Sequence, residues 1–438
     1  MKKIVLIGAG SAVFGLGTIN DIFQSDTLAG STIILHDINE HALKKIADTA
    51  EKFRSENNLN FMIKPVLNRQ EALRDADFCV ISIEVGHRFD LWDMDWKIPL
   101  QFGFKQIYGE NGGPGGLFHS LRIVPPILSI CQDIEKYCPN AFVFNYSNPM
   151  QRICHAVTTK FPNLNFVGLC HEIHSMEVQL PLLLDTERSN IVFKAGGLNH
   201  LSVLVEAKYK DTGKDAYPII HEKFDSFYSK YQNIYDDYHH SKPGGERGIF
   251  FQIYKKYGFL PITVDSHLGE YLSWGHSVAD HDGINEFYTN YKKKCMNFSD
   301  NLNGYSEFFN LQKRSNERIV NIIEAIVDNS KSEETAVNIP NLGHIKDLPN
   351  DIVVEVPAEI DASGAKGIDL KAYPKTFCSL LSSQVGCIRM TTEAILNKSK
   401  NDAYHALLAD PVVDNATAAE KLLNTMLELQ SDYLAYLN

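Results

Sequence analysis

The sequence predicts an α/β protein with a doubly wound parallel sheet in its N-terminal part and a mixed α+β, mostly helical domain in its C-terminal part. Short, continuously apolar segments alternate with segments of helical periodicity through the first part of the chain. That alternation is typical of parallel strands covered by helices on both faces. The predicted strands are residues 4–7, 31–35, 78–83, 141–145 and 165–169.

The pattern changes after about residue 196, which predicts a domain boundary near residue 195. Residues 201–207 still have the pattern of a strand, and residues 335–358 alternate as strands with loops do. The predicted helical segments beyond the boundary are residues 217–238, 316–327 and 416–437. We therefore predict two domains, residues 1–195 and residues 196–438.

Charge and composition exclude several classes of protein. The chain has 42 Lys and Arg against 54 Asp and Glu, a formal charge of −12 on 438 residues, without basic runs. A nucleic-acid surface needs clustered basic residues, and a membrane span needs about 20 consecutive apolar residues. The 8 cysteines form no CxxC pair, which is typical of reduced thiols. We expect a soluble, cytoplasmic protein that acts on a small molecule and binds neither nucleic acid nor membrane.

A glycine-rich turn follows the first predicted strand. Gly8, Gly10 and Ser11 lie between this strand and a helix, where glycine lets the backbone approach a pyrophosphate at a helix N-terminus. Asp37 ends the second strand, in the place of an acid that binds ribose hydroxyls. A lone GxG is also compatible with an ordinary tight turn. Strand, turn, helix, strand and acid together predict an NAD site of the Rossmann type.

A second set of polar residues contains metal-ligand types. Cys170 directly follows the strand at residues 165–169, at the sheet edge where doubly wound folds bind ligands. His200 follows another apolar segment. One thiolate and one imidazole can hold a divalent metal with positions open to substrate. Composition alone favours the alternative, a packed thiol and a structural histidine.

Three further segments concentrate polar groups. Glu110 and Asn111 precede a glycine run that predicts either a close approach to a ligand or a flexible connection before a helix. Asn148 lies in a segment, residues 145–149, that ends a strand with an exposed amide or forms a turn. Residues 265–271 hold four titratable side chains, for which a solvated loop is the favoured interpretation.

Seven motifs together, in the same order and spacing, resemble the family-4 glycoside hydrolases. They are IGAGSAVF, Asp37, ENGGPGGLFHSLR, NYSNPM, GLCHE, GLNH and DSHLGEY. The resemblance covers residues 1 to about 275 and is weaker beyond. It implies a glycosidase that uses NAD and a divalent metal, usually manganese, rather than two carboxylates. The implied reaction is oxidation at C3 of the sugar, proton abstraction at C2, elimination, addition of water and re-reduction.

The resemblance also implies the cofactor and catalytic residues. Those that match the NAD site are Gly8, Gly10, Ser11 and Asp37, and those that match the metal ligands are Cys170 and His200. His171 stands where related members have the acid, and Glu110 where they have an acidic residue that supports the base. The base itself is Asp265 or His267, with Asp265 favoured.

The substrate class follows from the residues after the metal cysteine. Implied substrate contacts are Asn148, Asn111, Glu172 and Arg88. His171 argues against a phosphorylated sugar, and Glu172 followed by Ile173 resembles the α-galacturonidases, so we expect short galacturonides from pectin. A uronate needs a cation, for which Arg88 and Arg247 are the candidates.

Several alternatives stay open from the sequence. Within the same chemistry they are an α-glucosidase, an α-galactosidase or an α-glucuronidase. Outside it they are an NAD-dependent 2-hydroxy-acid dehydrogenase, which shares the nucleotide fold, and an NAD-sensing binding protein. The resemblance further implies a homodimer or a homotetramer.

Overall fold

The computed structural model describes residues 1–10, 12–231, 245–300, 309–315 and 317–437. Its strands are β1 (Lys3–Ile7), β2 (Thr32–His36), β3 (Met62–Pro65), β4 (Phe78–Ile81), β5 (Phe142–Asn145), β6 (Asn165–Gly168), β7 (Ile191–Leu198), β8 (Leu201–Tyr209), β9 (Ser332–Pro340), β10 (Val353–Asp361) and β11 (Gly364–Gly367). Its helices are α1 (Ala12–Phe23), α2 (Glu40–Glu56), α3 (Arg69–Leu73), α4 (Arg88–Gln101), α5 (Gly113–Tyr137), α6 (Met150–Lys160), α7 (Ser175–Leu184), α8 (Tyr217–Tyr228), α9 (Gly248–Tyr257), α10 (Asp265–Leu268), α11 (His281–Asp300), α12 (Ile319–Asp328), α13 (Lys375–Ser382), α14 (Val385–Asn397), α15 (Lys400–Ala409), α16 (Ala416–Leu429) and α17 (Ser431–Leu434).

All of these strands belong to one sheet. The first six lie in the order β3-β2-β1-β4-β5-β6 and pair in parallel. Beyond β6 the sheet continues through β9, β10, β7 and β8, which pair antiparallel, and β11 pairs with β10. The predicted fold class is confirmed: a Rossmann-like parallel half is joined to a mixed, mostly helical C-terminal part.

The parallel half explains its own sequence pattern. Ile4, Val5, Leu6 and Ile7 of β1 are all buried, because helices cover both faces of the sheet. A strand buried on both faces has no solvent side on which polar residues could alternate. This is why the first strands read as continuous apolar runs.

Helix α5 begins earlier than the sequence predicts. The glycine run at residues 113–116 was expected to be a loop before a helix, but it forms the first turn of α5. A Cβ at Gly115 would lie 2.6 Å from the Asp95 carbonyl oxygen, and one at Gly116 would lie 2.4 Å from the Asn111 carbonyl carbon. Glycine is therefore required at both positions, because neighbouring backbone packs too closely against this turn for a Cβ.

The predicted boundary at residue 195 falls inside β7, and the sheet continues across it. The last helices also pack back on the N-terminal part. Arg122 of α5 bonds Asp95 at 2.6 Å, and the Gln430 side chain bonds the same carboxylate at 2.8 Å. Gln430 separates α16 from α17, so the single helix predicted over residues 416–437 is two helices.

The other predicted C-terminal elements form with shifted ends. The strand at residues 201–207 is β8, residues 335–358 hold parts of β9 and β10, and the helix predicted from residue 316 is α12. The helix predicted over residues 217–238 is α8 as far as Tyr228, and residues 232–238 lie outside the described part. No helix of the described residues is long and apolar enough to cross a membrane. All eight cysteines are free thiols, as the sequence predicts.

Candidate active site

The turn between β1 and α1 has the form that the sequence predicts for a nucleotide site. Gly8 has φ +85°, and a Cβ there would lie 2.1 Å from the Ser82 carbonyl oxygen. The Gly10 amide donates to Asp37 Oδ2 at 2.7 Å, and a Cβ on Gly10 would lie 2.6 Å from that oxygen. Both glycines are needed for the close approach of backbone to backbone and of backbone to carboxylate. Ser11 lies outside the described residues.

Cys170 and His200 come together at the carboxyl edge of the sheet. The Cys170 Sγ lies 3.6 Å from His200 Nε2. With metal bonds of roughly 2.1–2.3 Å, two ligands of one ion stand about 3–4 Å apart, so this separation suits a shared metal. Burial lowers the pKa of His200 well below its usual value, which keeps the imidazole neutral, as ligation requires. Within the described residues, no group of three or more His, Cys, Asp or Glu side chains is arranged to hold a metal.

A buried carboxylate holds the turn that carries His200. His200 has φ +66°, in the left-handed region, at the tight turn between β7 and β8. Asn199 Nδ2 donates to Glu355 Oε1 and Ser202 Oγ donates to Glu355 Oε2, both at 2.8 Å. Glu355 was not predicted as a site residue, although a charged residue inside the apolar run of β10 was a usable signal.

The two candidate bases differ in what surrounds them. The His267 ring lies 4.3 Å from the His200 ring, centroid to centroid, and its Nδ1 is 3.0 Å from Ser266 Oγ. Asp265 is fully buried and accepts hydrogen bonds from the backbone amides of Ile249 and Phe250, at the start of α9, at 2.9 and 3.0 Å.

A third backbone amide, that of Asp280, donates to the other Asp265 oxygen at 3.0 Å. Asp265 therefore caps α9, and its carboxylate is already used by backbone donors. The expectation that residues 265–271 form a solvated loop is wrong, because Asp265, Ser266 and Glu270 are fully buried. Their buried backbone and carboxylate groups find partners within the protein, which is what allows the segment to pack inside.

Glu110 gathers several of the predicted site residues. Its carboxylate accepts from Arg88 Nη2 at 2.8 Å, from Asn111 Nδ2 at 3.1 Å and from Asn148 Nδ2 at 3.5 Å. Glu270, fully buried, accepts from the backbone amides of Glu110 and Asn111. Burial raises the pKa of Glu270 well above its usual value. Glu270, for which no role was predicted, therefore fixes the loop that presents Glu110.

The two asparagines at the end of β5 and just after it have different surroundings. Asn145 is fully buried, and its Nδ2 donates to the Ser147 carbonyl oxygen at 2.9 Å. Asn148, three residues further on, is the amide that reaches the Glu110 carboxylate.

Arg88 lies between aromatic rings and two carboxylates. Its guanidinium carbon is 5.1 Å from the Trp92 ring centroid and 5.4 Å from that of Tyr291. Besides Glu110, the Glu84 Oε2 lies 3.6 Å from Arg88 Nε. Burial opposes ionisation of Glu84, but His119 and Arg88 outweigh it and lower the pKa of Glu84 to about 2. Arg88 is therefore an ion-paired arginine and not a free cation.

Arg247, the other predicted cation for a uronate, is enclosed. Its side chain is buried, with its guanidinium carbon 4.6 Å from the Phe250 ring centroid and 4.9 Å from that of Tyr228. Burial lowers the pKa of Arg247. Arg247 lies in the loop before α9, as predicted, but its guanidinium is buried against aromatic rings and does not stand open to a substrate carboxylate.

His171 is oriented by two glutamates. Its Nδ1 lies 3.5 Å from Glu317 Oε1, and its Nε2 lies 3.9 Å from Glu172 Oε1. Burial lowers the pKa of His171, but Glu317 and Glu172 outweigh it and raise the pKa to about 9. Glu317 was not found from the sequence, because it is 146 residues away along the chain and belongs to no motif there.

Side-chain contacts connect most of these groups. The neighbours in contact, in order, are Cys170, His200, His267, Tyr108, Trp92, Arg88, Glu110 and Asn148. The glycine turn follows β1 and Cys170 lies just beyond β6, so both are at the carboxyl ends of parallel strands. A nucleotide turn and a cluster of metal-ligand and acid–base side chains thus share one edge of the sheet.

Comparison with known proteins identifies the family. A family model described as "Family 4 glycosyl hydrolase" matches residues 3–186, and one described as "Family 4 glycosyl hydrolase C-terminal domain" matches residues 195–413. The chain therefore belongs to family 4 of the glycosyl hydrolases, and the resemblance found from its motifs is confirmed. Membership of this family makes the protein a glycosidase and not a dehydrogenase or a binding protein.

Individual relatives differ in the substrate that their names carry. An α-glucosidase of Erwinia rhapontici is 48% identical, over 99% of this chain and 99% of its own. An α-galacturonidase of Thermoanaerobacter italicus is 28% identical, over 99% and 97%. A solved 6-phospho-α-glucosidase from gut microorganisms, in complex with NAD and Mn²⁺, has a TM-score of 0.80 at 22% identity and covers 98% of each chain.

Proposed function

We propose that this protein is an α-glucosidase that uses NAD and a divalent metal, manganese first, to cleave unphosphorylated α-glucosides. The observation that carries this proposal is the full-length similarity, at 48% identity, to an α-glucosidase. The α-galacturonidase relative is far less similar, at 28%. The α-glucosidase that the sequence left as an alternative thus fits better than the galacturonidase it favoured.

The residues present fit both cofactors. An added Cβ at Gly8 or Gly10 would overlap the Ser82 carbonyl oxygen or the Asp37 carboxylate, so only glycine permits the close packing of this turn, as in a Rossmann-type nucleotide site. Cys170 and His200 offer a thiolate and a neutral imidazole at a separation that suits one metal. When bound, NAD accepts hydride and the metal polarises sugar oxygens.

The side chains around the Cys170–His200 pair suggest their roles. His267 adjoins His200 and is the better candidate for the base, since Asp265 is occupied by three backbone amides. His171, held by Glu317, is the candidate that protonates the leaving oxygen. Glu110 orients Arg88 and the two asparagine amides, which are placed to bind sugar hydroxyls.

The charge of the site also favours a neutral sugar. Arg88 faces Glu84 and Glu110, and Arg247 is buried among aromatic rings, so neither cation expected for a uronate offers it an unopposed positive charge. One observation favours the second candidate, an α-galacturonidase: Glu172 and Ile173 follow His171, and this pair differs by one methylene from the Glu-Val pair that the subgroup has there.

A panel of substrates tests the proposal. Nitrophenyl α-glucoside, nitrophenyl α-galactoside and digalacturonate are each assayed with NAD⁺, Mn²⁺ and a reducing thiol. The α-glucoside is expected to have the highest kcat/KM. Cleavage of digalacturonate with no cleavage of the α-glucoside would replace the proposal by the second candidate.

Isotope uptake tests the chemistry independently of the substrate. Turnover in D₂O is expected to place deuterium at C2 of the released sugar. No net accumulation of NADH is expected, because one cycle would reduce NAD⁺ and then re-oxidise it. A product without deuterium at C2 would contradict the proposed oxidation and elimination.

A further inference from the structure

The sugar site holds one arginine opposed by two glutamates. Arg88 Nη2 bonds Glu110 Oε1 at 2.8 Å, and Glu84 Oε2 stands 3.6 Å from Arg88 Nε. One positive and two negative charges leave this group with a net negative charge. The Arg88 side chain is still 33% exposed, so it keeps donor atoms for a ligand without offering a net positive field.

The neighbouring ionisable groups do not reverse this sign by themselves. Lys292, which lies over the Phe89 ring, bonds Asp93 at 2.9 Å, a carboxylate that it shares with Lys97, and not either glutamate of Arg88. His119 Nε2 lies 3.5 Å from Glu84 Oε1, and its Nδ1 is 2.8 Å from the Glu110 carbonyl oxygen. His119 can add at most one positive charge, which would not give the group an excess of positive charge.

The two glutamates contribute in different ways. Glu110 makes hydrogen bonds to the Asn111 and Asn148 amides, so it organises the site by geometry. Glu84 accepts from the Val85 backbone amide at 2.9 Å, and among the described residues Arg88 Nε is buried without a hydrogen-bond partner, Glu84 included. What Glu84 supplies to Arg88 is therefore charge, and an isosteric amide would remove that charge while leaving the Glu110 bonds in place.

We propose that Glu84 is a specificity-determining residue: its carboxylate cancels the attraction of Arg88 for anions and so makes the site prefer a neutral sugar to a uronic acid. This inference rests on the proposed function, in which the substrate is a neutral glucoside. A hydroxyl can accept from Arg88 at no electrostatic cost. A carboxylate in the same place meets two like charges, and juxtaposed like charges in a partly buried site are strongly unfavourable.

The test compares two ligands that differ only at C6. Glucose and glucuronate are measured as competitive inhibitors of the wild type and of Glu84→Gln, and the ratio of the glucuronate Ki to the glucose Ki is the readout. The ratio is expected to fall by about tenfold in Glu84→Gln, since one charge repulsion is removed. Glu51→Gln is the matched control, because it neutralises an exposed glutamate that pairs with Arg54 at 2.7 Å on α2.

The double variant Glu84→Gln/Arg88→Gln tests whether the improved binding of glucuronate in Glu84→Gln depends on Arg88. In the double variant the ratio of the two Ki values is expected to return to the wild-type value or above. A measurement on the wild type alone covers the case in which the variants do not fold. Added salt is expected to lower the Ki of glucuronate by about twofold or more and to leave that of glucose unchanged, because salt screens repulsion.

A ratio that stays constant in Glu84→Gln, or a glucuronate Ki that does not respond to salt, would overturn the inference. Failure of the proposed function is seen elsewhere, in the turnover of the wild type on the substrate panel. The two failures are therefore distinguishable.

Discussion

The nucleotide turn and the Cys170–His200 cluster share one sheet edge but are built in opposite ways. The turn is built from neighbouring segments of the parallel half: the Gly8 amide bonds the His36 carbonyl oxygen of β2, and the Gly10 amide bonds the Asp37 carboxylate. The cluster is assembled from both halves of the chain, and its shape depends on carboxylates that lie behind it, such as Glu270 and Glu355. The geometry of a local site is determined by its own short segments, whereas the geometry of a dispersed site depends on the residues packed around it.

Removing a ligand of the cluster is expected to have the largest effect. Cys170→Ser should lower kcat by about 10³-fold, because a bound metal supplies several kcal/mol of charge stabilisation. Activity and metal content by elemental analysis are measured together. Cys378→Ser, on α13, is the matched control and is expected to keep both metal and activity. Metal binding and activity that survive in Cys170→Ser would remove this cysteine from the site.

Variants of the two candidate bases are expected to differ in whether they lose activity or stability. His267→Ala is expected to lower kcat by about 100-fold or more with little change in stability, as loss of a general base does. Asp265→Asn is expected to cost about 1–2 kcal/mol of unfolding free energy through the weakened cap of α9. Steady-state kinetics and urea unfolding of both variants are compared. The opposite pattern, with activity lost only in Asp265→Asn at full stability, would restore Asp265 as the base.

A single added methyl group in the nucleotide turn is expected to disrupt the turn through steric overlap. Gly8→Ala should cost about 3 kcal/mol and abolish NADH binding, since its Cβ would overlap the Ser82 carbonyl oxygen. Gly213 is a control with a similar backbone, φ +66°, and nothing within 4 Å of an added Cβ. Gly213→Ala should cost only about 1 kcal/mol, from its left-handed conformation, and leave NADH fluorescence titrations unchanged. Equal losses in both variants would mean that backbone strain, and not the close approach, makes Gly8 necessary.

The effect that is expected to leave activity least changed is on the pH dependence of stability near the cluster. Burial and the neighbouring Asp265 raise the pKa of Glu246 to about 8. The folded state therefore keeps a proton that the unfolded state releases above its lower pKa. This contribution to stability is complete below about pH 4.5 and is lost as the pH rises to about 8, at up to about 1.4 kcal/mol per pH unit.

Glu246→Gln is expected to flatten this slope, measured as the unfolding free energy at pH 5, 6.5 and 8. Glu333→Gln, at an exposed position of β9, is the control for the substitution and should keep the wild-type slope. A slope that is the same in Glu246→Gln and wild type would show that Glu246 is ionised in the folded protein.

The parallel half could be predicted from the sequence because its signals are local. Apolar runs fixed its strands to within a few residues, and Gly8, Gly10 and Asp37 lie together as their spacing indicates. The strand β3 was missed because its residues are largely exposed at the sheet edge, so no apolar run marks them. The antiparallel extension was not foreseen, since pairing of β6 with β9 is a contact between distant segments.

The sequence predicted which residues belong to the site better than it predicted how they are arranged. The motifs named Cys170, His200, Glu110, Asn111 and Asn148, and the structure brings them into one chain of contacts. The partners of these residues could not be predicted in the same way. Whether Asp265 faces a ligand or three backbone amides, and whether Arg88 is free or paired, depends on groups that only the folded chain brings near.

The order of strands in the sheet also affects how the chain folds during its synthesis. Strands β9 and β10 lie between β6 and β7 in the sheet, and Gly168 pairs with Asn338. A chain leaving the ribosome thus completes β6 and the β7–β8 hairpin long before the strands that join them exist. Until then both carry open edges, which attract other strands. Fragments ending before β9 are expected to aggregate, and the growing chain needs protection over that interval.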